Sequence, residues 1–373
     1  MKKPRILFVF GTRPEAVKLC PVILEARRRA EFDTRVCVTA QHREMLDAML
    51  ERFGIEPDRD LDVMAANQPL SLLAARILER LDPVLVEEQP DFILVQGDTT
   101  TTFAGALAGF NRRIPVGHVE AGLRTGDVAQ PFPEEMNRVL TGRLAALHFA
   151  PTERAAENLR REGVAGERIF VTGNTGIDAL LYVRERLEKG EWAGFDGEIP
   201  AAGRKLILMT AHRRESFGEG FVRICEAVRR LAARGDVEIV YPVHPNPNVR
   251  GVVERMLAGV DGVRLIKPLD YVPFVDLMRR ADILLTDSGG VQEEGPSFGK
   301  PILVMREKTE RQEAVEAGAA VLVGTDPERI VAEAGRLLDS AEAREAFTRV
   351  RNPFGDGRAS GRILDAIHSF LET

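Results

Sequence analysis

Residues 283–294 read I-L-L-T-D-S-G-G-V-Q-E-E. The apolar run at 283–285 is typical of a buried parallel strand. The Thr, Asp and Ser after it are turn and N-cap residues, and helical character begins at Val291. Two glycines between a strand and a helix let backbone N–H groups approach a ligand, and the helix dipole favours negative charge there. We therefore predict a diphosphate site at this turn; an ordinary strand-to-helix turn is the plainer interpretation of the same residues.

The same alternation of apolar strands and helical stretches fills the chain. Strands are predicted at 5–10, 36–39, 92–96, 115–119, 146–150 and 169–172, and a second set at 206–210, 237–243, 263–266, 283–286, 301–305 and 320–323. Strands that alternate with helices favour parallel sheets covered on both faces. The expected fold class is therefore α/β, with two Rossmann-like halves and a cleft between them.

A chain of 373 residues is long for one domain. Glycine and proline crowd residues 187–205, so we expect a linker region there between a first domain at 1–186 and a second at 206–355. The tail at 356–373 has the pattern of a closing helix.

Composition indicates a soluble globular protein of the cytoplasm. The net charge of −6 gives no basis for a nucleic-acid partner, and no apolar run approaches the ~20 residues of a membrane span. Cys20, Cys37 and Cys225 are too few and too scattered for a disulfide framework or a zinc site.

Acidic and basic residues recur where predicted strands end, and in α/β sheets ligands bind at that edge. Asp98 and Glu120 each follow a strand, and Glu134 follows Pro-Phe-Pro. The candidate anion partners are cationic residues: Arg13, Lys18, His212, Arg213 and Arg311. For any one of these acids or cations alone, a solvated or structural role is the simpler interpretation. Carboxylates packed together have pKa values pushed apart, so that one can act as a base and another as an acid.

Several common motifs do not occur. The chain has neither G-x-G-x-x-G nor G-x-x-x-x-G-K-[ST], so no tightly held dinucleotide and no Walker-type ATP site is indicated. It also lacks H-x-x-x-H and H-E-x-x-H, and we expect no metal and no cofactor. His118 and His148 lie inside apolar strands and are interpreted as core residues.

Eight motifs, in order, carry a resemblance to a known family: G-T-R-P-E-A (11–16), Q-G-D-T-T-T-T (96–102), G-H-V-E-A-G-L-R-T-G-D (117–127), P-E-E-M-N-R (133–138), G-N-T (173–175), A-H-R-R-E-S-F-G (211–218), Y-P-V-H-P-N-P-N-V-R (241–250) and T-D-S-G-G-V-Q-E-E (286–294). The sequence resembles the non-hydrolysing UDP-N-acetylglucosamine 2-epimerases over nearly its whole length. The resemblance implies a GT-B type fold, with two Rossmann-like domains facing across a deep cleft, the nucleotide on the second domain and the last helix crossing back to the first.

The resemblance also implies roles for residues. It implies an active site with Asp98, Glu120, Glu134 and His212, and substrate binding by Arg13, Lys18, Phe274, Ser288, Gly289, Gly290, Glu294 and Arg311. In it Phe274 packs near the uracil, Glu294 holds the ribose hydroxyls, and the Ser-Gly-Gly turn receives the diphosphate. One departure concerns the uracil, because Leu269 stands where some relatives carry Gln.

Some relatives bind a second UDP-N-acetylglucosamine as an activator, and the matching positions are Gln41, Arg43, Arg213 and His244. Support of the first site, or solvation, is the plainer interpretation of these residues. The resemblance further implies a homodimer, UDP-N-acetylglucosamine and UDP as binding partners, and supply of a precursor for bacterial surface polysaccharide.

The implied reaction inverts C2 of the sugar, whose hydrogen is not acidic. The enzyme must either oxidise the sugar transiently or expel its C1 substituent, and the missing dinucleotide motif favours elimination of UDP to a 2-acetamidoglucal followed by re-addition. Two faces of C2 require two acid–base groups, and the assignment among Asp98, Glu120 and Glu134 stays open. A hydrolysing epimerase, a glycosyltransferase and a non-catalytic nucleotide-sugar sensor are the alternatives.

Overall fold

The structure is a computed structural model that describes residues 3–29, 31–40, 43–65, 68–197 and 203–372. Its contacts divide the chain into two units. The first consists of Met1–Ala179 with Phe354–Thr373, and the second of Leu180–Pro353.

The first unit is built on a parallel sheet in the order β3-β2-β1-β4-β5-β6-β7. Its strands are β1 (Arg5–Phe10), β2 (Asp33–Val38), β3 (Arg59–Asp60), β4 (Phe92–Gln96), β5 (Val116–Val119), β6 (Leu147–Ala150) and β7 (Ile169–Val171). Its helices are α1 (Arg13–Arg29), α2 (Arg43–Arg52), α3 (Leu70–Glu88), α4 (Thr100–Asn111), α5 (Glu134–Leu144) and α6 (Glu153–Arg161), and a short 3-10 helix lies at Gly166–Arg168. Helix α7 (Thr175–Glu188) contains the division between the units.

The second unit repeats this plan with the order β10-β9-β8-β11-β12-β13, again parallel. Its strands are β8 (Lys205–Thr210), β9 (Val237–Pro242), β10 (Val263–Ile266), β11 (Ile283–Thr286), β12 (Ile302–Val304) and β13 (Ala320–Leu322). Its helices are α8 (Glu219–Ala232), α9 (Pro247–Leu257), α10 (Tyr271–Arg280), α11 (Gly289–Glu294), α12 (Gln312–Glu316), α13 (Pro327–Asp339) and α14 (Ala341–Thr348), with 3-10 helices at Arg214–Ser216 and Gly295–Phe298.

The central strands are apolar along their length because helices cover both faces of each sheet. In β1 every residue from Ile6 to Phe10 is buried, and Leu7 and Val9 pack in one cluster with Leu73 and Ile77 of α3. In β11, Ile283 and Leu285 belong to the core of the second unit. Burial of this kind stabilises by about 25 cal/mol per Å² of apolar surface and fixes where each strand ends.

In both sheets the order in which strands are added reverses at one point. The chain adds strands on one side of β1 and then continues with β4 on the other side, and it does the same around β8 and β11. The loops after such a pair of strands diverge, and the opening between them is where α/β proteins bind ligands.

The last helix, α15 (Ala359–Glu372), returns to the first unit and packs on α1. Its start is held by the buried carboxylate of Asp178, which accepts hydrogen bonds from the backbone N–H groups of Ser360 at 2.8 Å and Ala359 at 3.2 Å. A carboxylate at a helix N-terminus satisfies N–H groups that have no partner within the helix.

The predicted α/β class with two Rossmann-like sheets is confirmed, and predicted strand limits differ from the observed ones by a few residues. The structure adds β3, whose two residues are too short for a sequence pattern. The division between the two units falls at residue 180, within α7 and before the linker expected at 187–205. The domain limits drawn from glycine and proline content stay a prediction, and residues 198–202 lie outside the described part of the chain.

Cys20, Cys37 and Cys225 are buried and form no disulfide. No helix in the described ranges has both the length and the apolar character needed to cross a membrane.

Candidate active site

In the first unit, three predicted site residues follow three neighbouring strands. Arg13 opens the helix after β1, Asp98 follows β4 and Glu120 follows β5. Because β1, β4 and β5 are adjacent and parallel, their carboxyl ends lie at one edge of the sheet. Arg13, Asp98 and Glu120 therefore follow strands that end at the same edge of the sheet.

Glu120 lies between a cation and an amide. Its Oε1 accepts a hydrogen bond from Lys18 Nζ of α1, and its Oε2 accepts one from Gln96 Nε2 at the end of β4. The backbone of Glu120 has φ of +64°, a left-handed conformation that side-chain-bearing residues rarely adopt, and its side chain is 10% exposed. Backbone strain of this kind persists when surrounding contacts hold it and often marks functional sites.

Asp98 is held by α5. Its Oδ2 lies 2.9 Å from Arg138 Nε and 2.7 Å from Arg138 Nη2, and its carbonyl accepts a hydrogen bond from Asn137 Nδ2. Arg138 also pairs with the buried Glu135 at 2.8 Å. Glu134 lies one helical turn before Arg138 and so shares its face of the helix. Its Oε2 is buried and has no hydrogen-bond partner among the described residues. Asp98 and Glu134 are thereby brought to the same end of α5.

A buried carboxylate not singled out from the sequence supports this edge. Glu15 of α1 is 1% exposed and collects hydrogen bonds from two strand ends. Its Oε2 accepts from the backbone N–H groups of Gly11 and Thr12 and from the Thr12 hydroxyl, and its Oε1 accepts from Thr99 and Thr102. Burial raises the pKa of Glu15, although the Thr12 and Thr99 hydroxyls oppose that shift. Glu15 therefore ties the turn after β1 to the turn that carries Asp98.

His118 and His148 are buried neighbours across β5 and β6, as core residues should be. Burial lowers the pKa of His118 to about 3 and that of His148 to about 4. His118 Nε2 lies 2.7 Å from the carbonyl of Gly97 and must donate to it, because a carbonyl only accepts. His118 thus also has a contact to the turn before Asp98.

In the second unit, the loop after β8 is bound by Asp287, which follows β11. Asp287 Oδ2 accepts hydrogen bonds from the backbone N–H groups of His212 at 2.6 Å and Arg213 at 2.7 Å. The imidazole of His212 stacks on that of His244 with ring centroids 5.4 Å apart. Burial lowers the pKa of His212, and the charge of Asp287 opposes that shift. The predicted His212, Arg213 and His244 are therefore close together.

The Ser-Gly-Gly turn has the predicted strand–turn–helix form. Ser288 is the N-cap of α11, and Gly289 and Gly290 are its first residues. A Cβ on Gly289 would lie 2.8 Å from Cζ of Arg311, so the guanidinium rests against the helix start. Arg311 is held there by Glu293, whose Oε1 lies 2.8 Å from both its Nε and its Nη2. Backbone N–H groups and a fixed guanidinium suit a phosphate or diphosphate.

The residues assigned to the nucleoside lie on α10 and α11 or just before α10, and a hydrogen bond joins the two helices. Glu294, at the end of α11, accepts a hydrogen bond from Tyr271 of α10 at 3.0 Å. Phe274 is partly buried on α10, one turn after Tyr271, and Leu269 is partly buried just before that helix. Glu294 and Phe274 thus have a common neighbour in Tyr271, which the sequence did not identify.

Of the residues suggested for an activator site, Arg213 and His244 belong to the second unit and Arg43 to the first. Arg43 is exposed on α2 of the first unit, where it pairs with Asp60 at 2.8 Å and Asp62 at 2.7 Å. Gln41 lies outside the described residues. Within the described ranges, no three His, Cys, Asp or Glu side chains are grouped as ligands of a metal ion.

Four supporting residues were missed by sequence reasoning: Glu15, Gln96, Arg138 and Asp287. Each lies inside a quoted motif, so the motifs contained the signal. Each has a partner distant in sequence, from 24 residues for Gln96 and Glu120 to 87 for Glu15 and Thr102, and only strand order brings such pairs together.

Comparison with known proteins agrees with the geometry. A family model described as UDP-N-acetylglucosamine 2-epimerase matches residues 24–368. The protein named UDP-N-acetylglucosamine 2-epimerase in Salmonella typhimurium is 55% identical over 98% of this chain and 99% of that protein. The crystal structure of the Neisseria meningitidis UDP-GlcNAc 2-epimerase bound to UDP-GlcNAc is similar with a TM-score of 0.88 and 46% identity, over 98% of this chain and 100% of that one. The Methanocaldococcus jannaschii UDP-GlcNAc 2-epimerase, in complex with UDP-GlcNAc and UDP, has a TM-score of 0.76 and 32% identity over 98% and 99% of the two chains. This chain therefore belongs to the UDP-N-acetylglucosamine 2-epimerase family, whose members are isomerases.

Proposed function

We propose that the protein interconverts UDP-N-acetylglucosamine and UDP-N-acetylmannosamine by expelling UDP and adding it back. The observation that carries this proposal is the group of carboxylates at one sheet edge of the first unit, two of which are paired with cations. A reaction that removes a proton from one face of C2 and returns one to the other needs such a set.

The chemistry balances without an external oxidant. The C1–O bond breaks and its electron pair leaves with UDP, while a carboxylate takes the proton from C2 and the C–H electrons form the C1–C2 double bond of 2-acetamidoglucal. In the second half, a carboxylic acid protonates C2 on the opposite face and a diphosphate oxygen of UDP attacks C1. No water is consumed, so the reaction is reversible and non-hydrolysing.

Proton transfer is assigned to the first unit. Asp98, Glu120 and Glu134 are the candidate acid–base groups, and His212 of the second unit is the fourth catalytic candidate. The carboxylates differ in their contacts: Asp98 and Glu120 pair with Arg138 and Lys18, whereas Glu134 has a buried oxygen without a hydrogen-bond partner among the described residues. Arg13 is proposed to bind the substrate beside them.

Nucleotide binding is assigned to the second unit. The N–H groups of the turn at Ser288, Gly289 and Gly290 and the guanidinium of Arg311 are proposed to hold the diphosphate and to stabilise the charge that grows on it as it leaves. Glu294 is proposed to accept hydrogen bonds from the ribose hydroxyls and Phe274 to pack on the uracil. With Leu269 in place of a glutamine, backbone groups supply the hydrogen bonds to the base at that position.

The remaining expectations are proposals of the same kind. We propose a cytoplasmic homodimer that supplies a precursor for surface polysaccharide, and an activating second UDP-N-acetylglucosamine near Gln41, Arg43, Arg213 and His244. The reverse reaction, from UDP-N-acetylmannosamine, tests the activation. A lag that disappears when UDP-N-acetylglucosamine is added would support it. Hyperbolic kinetics in the absence of added UDP-N-acetylglucosamine would contradict it.

Incubation of the protein with UDP-N-acetylglucosamine alone, followed by proton NMR, tests the proposed function. UDP-N-acetylmannosamine is the expected product. Free sugar and UDP would indicate a hydrolase, and an unchanged substrate would indicate a transferase that lacks its acceptor or a sensor. As a control, Asp98→Asn should lower turnover roughly 100- to 10,000-fold while the thermal unfolding midpoint stays close to that of the wild type.

A further inference from the structure

Asp98 lies in the turn between β4 and α4, and a reacting group on a turn needs neighbours that hold it in place. Arg138 holds its carboxylate. The direction in which the side chain leaves the backbone depends instead on the two peptide groups on either side of its Cα. Buried side chains of β5 and α5 hold one of these peptide groups each.

The peptide group before Asp98 is held by His118. The oxygen of that group is the carbonyl of Gly97, and Nε2 of the buried His118 lies 2.7 Å from it. Because a carbonyl only accepts, Nε2 must carry the proton. The N–H of Gly97 in turn donates to the carbonyl of Val119, the residue after His118, at 3.0 Å. Strand β5 therefore holds both backbone polar groups of Gly97.

The peptide group after Asp98 is held by Asn137. This residue is 8% exposed on α5, and its Nδ2 donates to the carbonyl of Asp98 at 2.9 Å. With both flanking peptide groups held, rotation about the backbone bonds of Asp98 is restricted. The direction of its Cα–Cβ bond is thereby fixed from two separate elements of the fold.

Histidine is otherwise an unfavourable residue at position 118. Strand β5 is buried, and Nδ1 of His118 has no hydrogen-bond partner among the described residues. A buried polar atom without a partner costs stability, and an apolar side chain would avoid that cost. Burial, assisted by the nearby His148, Arg124 and Arg138, lowers the pKa of the ring to about 3. The neutral ring therefore offers a hydrogen-bond donor at Nε2 and does not carry protons.

We propose that His118 is a positioning residue for proton transfer: its Nε2–H fixes the peptide group before Asp98 and so aims the Asp98 carboxylate at C2 of the sugar. The role rests on the proposed function, because the direction of Asp98 affects turnover only if Asp98 is an acid–base group. The hydrogen bond to Gly97 is a property of the protein without substrate.

Glutamine and methionine at position 118 separate the donor from the volume of the side chain. The Nε2 of glutamine can take the place of the imidazole Nε2, whereas methionine has a similar length and no donor. We expect His118→Met to lower kcat on the order of 10-fold, less than the roughly 100-fold effect of a 1 Å displacement, because Asn137 and Arg138 still hold Asp98. KM for UDP-N-acetylglucosamine should stay within about 2-fold, and His118→Gln should keep kcat within about 3-fold of the wild type.

A double-mutant cycle shows whether the effect runs through Asp98. If His118 acts by aiming that carboxylate, His118→Met should change the residual turnover of an Asp98→Asn protein by less than about 2-fold. A general loss of structure would lower turnover by the same factor in both backgrounds, and that result would overturn the proposal.

His148 supplies a matched control. It is a buried histidine that pairs with His118 across β5 and β6, and it lies one strand further from β4, which leads to Gly97. His148→Met makes the same chemical change and should leave kcat within about 2-fold of the wild type. An equal loss of kcat in the two methionine variants would contradict a specific role of His118.

The premise can be measured in the wild type, even if the methionine variant does not fold. Long-range ¹⁵N–¹H NMR of the full-length protein labelled with ¹⁵N-histidine should show Nε2–H in His118, identified by the signal that His118→Gln removes. Nδ1–H in that residue, or a wild-type kcat in His118→Met, would overturn the proposal. Unchanged turnover in Asp98→Asn, or no epimer from the wild type, would contradict the proposed function itself, and the tautomer of His118 would tell the two failures apart.

Discussion

The Arg138 guanidinium approaches Asp98 side-on, with Nε at 2.9 Å and Nη2 at 2.7 Å from the same carboxylate oxygen. The third nitrogen of the group, Nη1, pairs with Glu135. One side chain thus fixes a candidate acid–base group to the helix that carries Glu134. This arrangement makes the geometry of the proton-transfer site depend on a residue that need not touch the substrate.

We predict that Arg138→Gln lowers kcat about 100-fold, because displacement of a reacting group by roughly 1 Å has an effect of that size. The buried Glu135 also loses its pairing with Arg138, although the N–H groups of Thr125 and Gly126 still donate to it, so the thermal unfolding midpoint should fall. Steady-state kinetics and calorimetry measure both effects. Arg143→Gln, an exposed change on the same helix, is the control and should leave kcat unaltered; equal kinetics in the two variants would contradict the role of Arg138.

Two replacements of Glu15 should differ in their effect on thermal stability. Gln can keep an oxygen toward the N–H groups of Gly11 and Thr12, and the threonine hydroxyls can turn to accept from its NH2 group. Met cannot accept, and it leaves two buried N–H groups unpaired at about 1–3 kcal/mol each. We therefore expect thermal unfolding midpoints in the order wild type, Glu15→Gln, Glu15→Met, with the larger step at Met. A Met variant as stable as the Gln variant would show that the network does not support this edge.

Substitution of Gly289 tests whether the position of Arg311 matters for substrate binding. Gly289→Ala places a methyl group against a guanidinium that Glu293 holds, so Arg311 must move. We expect KM for UDP-N-acetylglucosamine to rise about 10-fold, equivalent to roughly 1.4 kcal/mol of binding, with little change in folding. Gly251→Ala in α9 is the control, since nothing lies within 4 Å of the added Cβ. An unchanged KM in Gly289→Ala would argue against a substrate contact by Arg311.

Because of the buried histidines, we expect the free energy of unfolding to fall in acid. The folded-state pKa values of His118 and His148, about 3 and about 4, lie below the ordinary value of 6.5. The unfolded chain therefore takes up protons first, and stability that is fully present above pH 6.5 falls by up to about 1.4 kcal/mol per pH unit for each histidine as the pH drops toward 4.

Calorimetry from pH 7 to pH 4.5 should show this fall, and His118→Gln should reduce it while its NH2 group still donates to the Gly97 carbonyl. Gly251→Ala, which removes no titratable group, is the control and should keep the wild-type slope. Identical slopes in all three proteins would contradict the assignment.

The sequence was sufficient for residues whose position follows from local pattern. Asp98 and Glu120 could be placed because each comes directly after an apolar strand, and parallel strands end at one edge. The Ser-Gly-Gly turn could be placed because glycine and N-cap residues act over a few residues.

Pairs that depend on strand order could not be placed in the same way. Nothing local in the chain joins Asp287 to His212, which are 75 residues apart, and the link exists because β11 lies beside β8. The left-handed backbone of Glu120 was equally hidden, since glutamate carries no preference for it.

The central claim is that UDP leaves and returns while protein acids exchange protons with C2. The most direct test is the conversion of UDP-N-acetylglucosamine in D2O, with the hydrogen at C2 of the product read by proton NMR. The account predicts UDP-N-acetylmannosamine that carries deuterium at C2, because the proton delivered to the new face comes from a carboxyl group that exchanges with solvent. A product that retains the original hydrogen at C2 would contradict it.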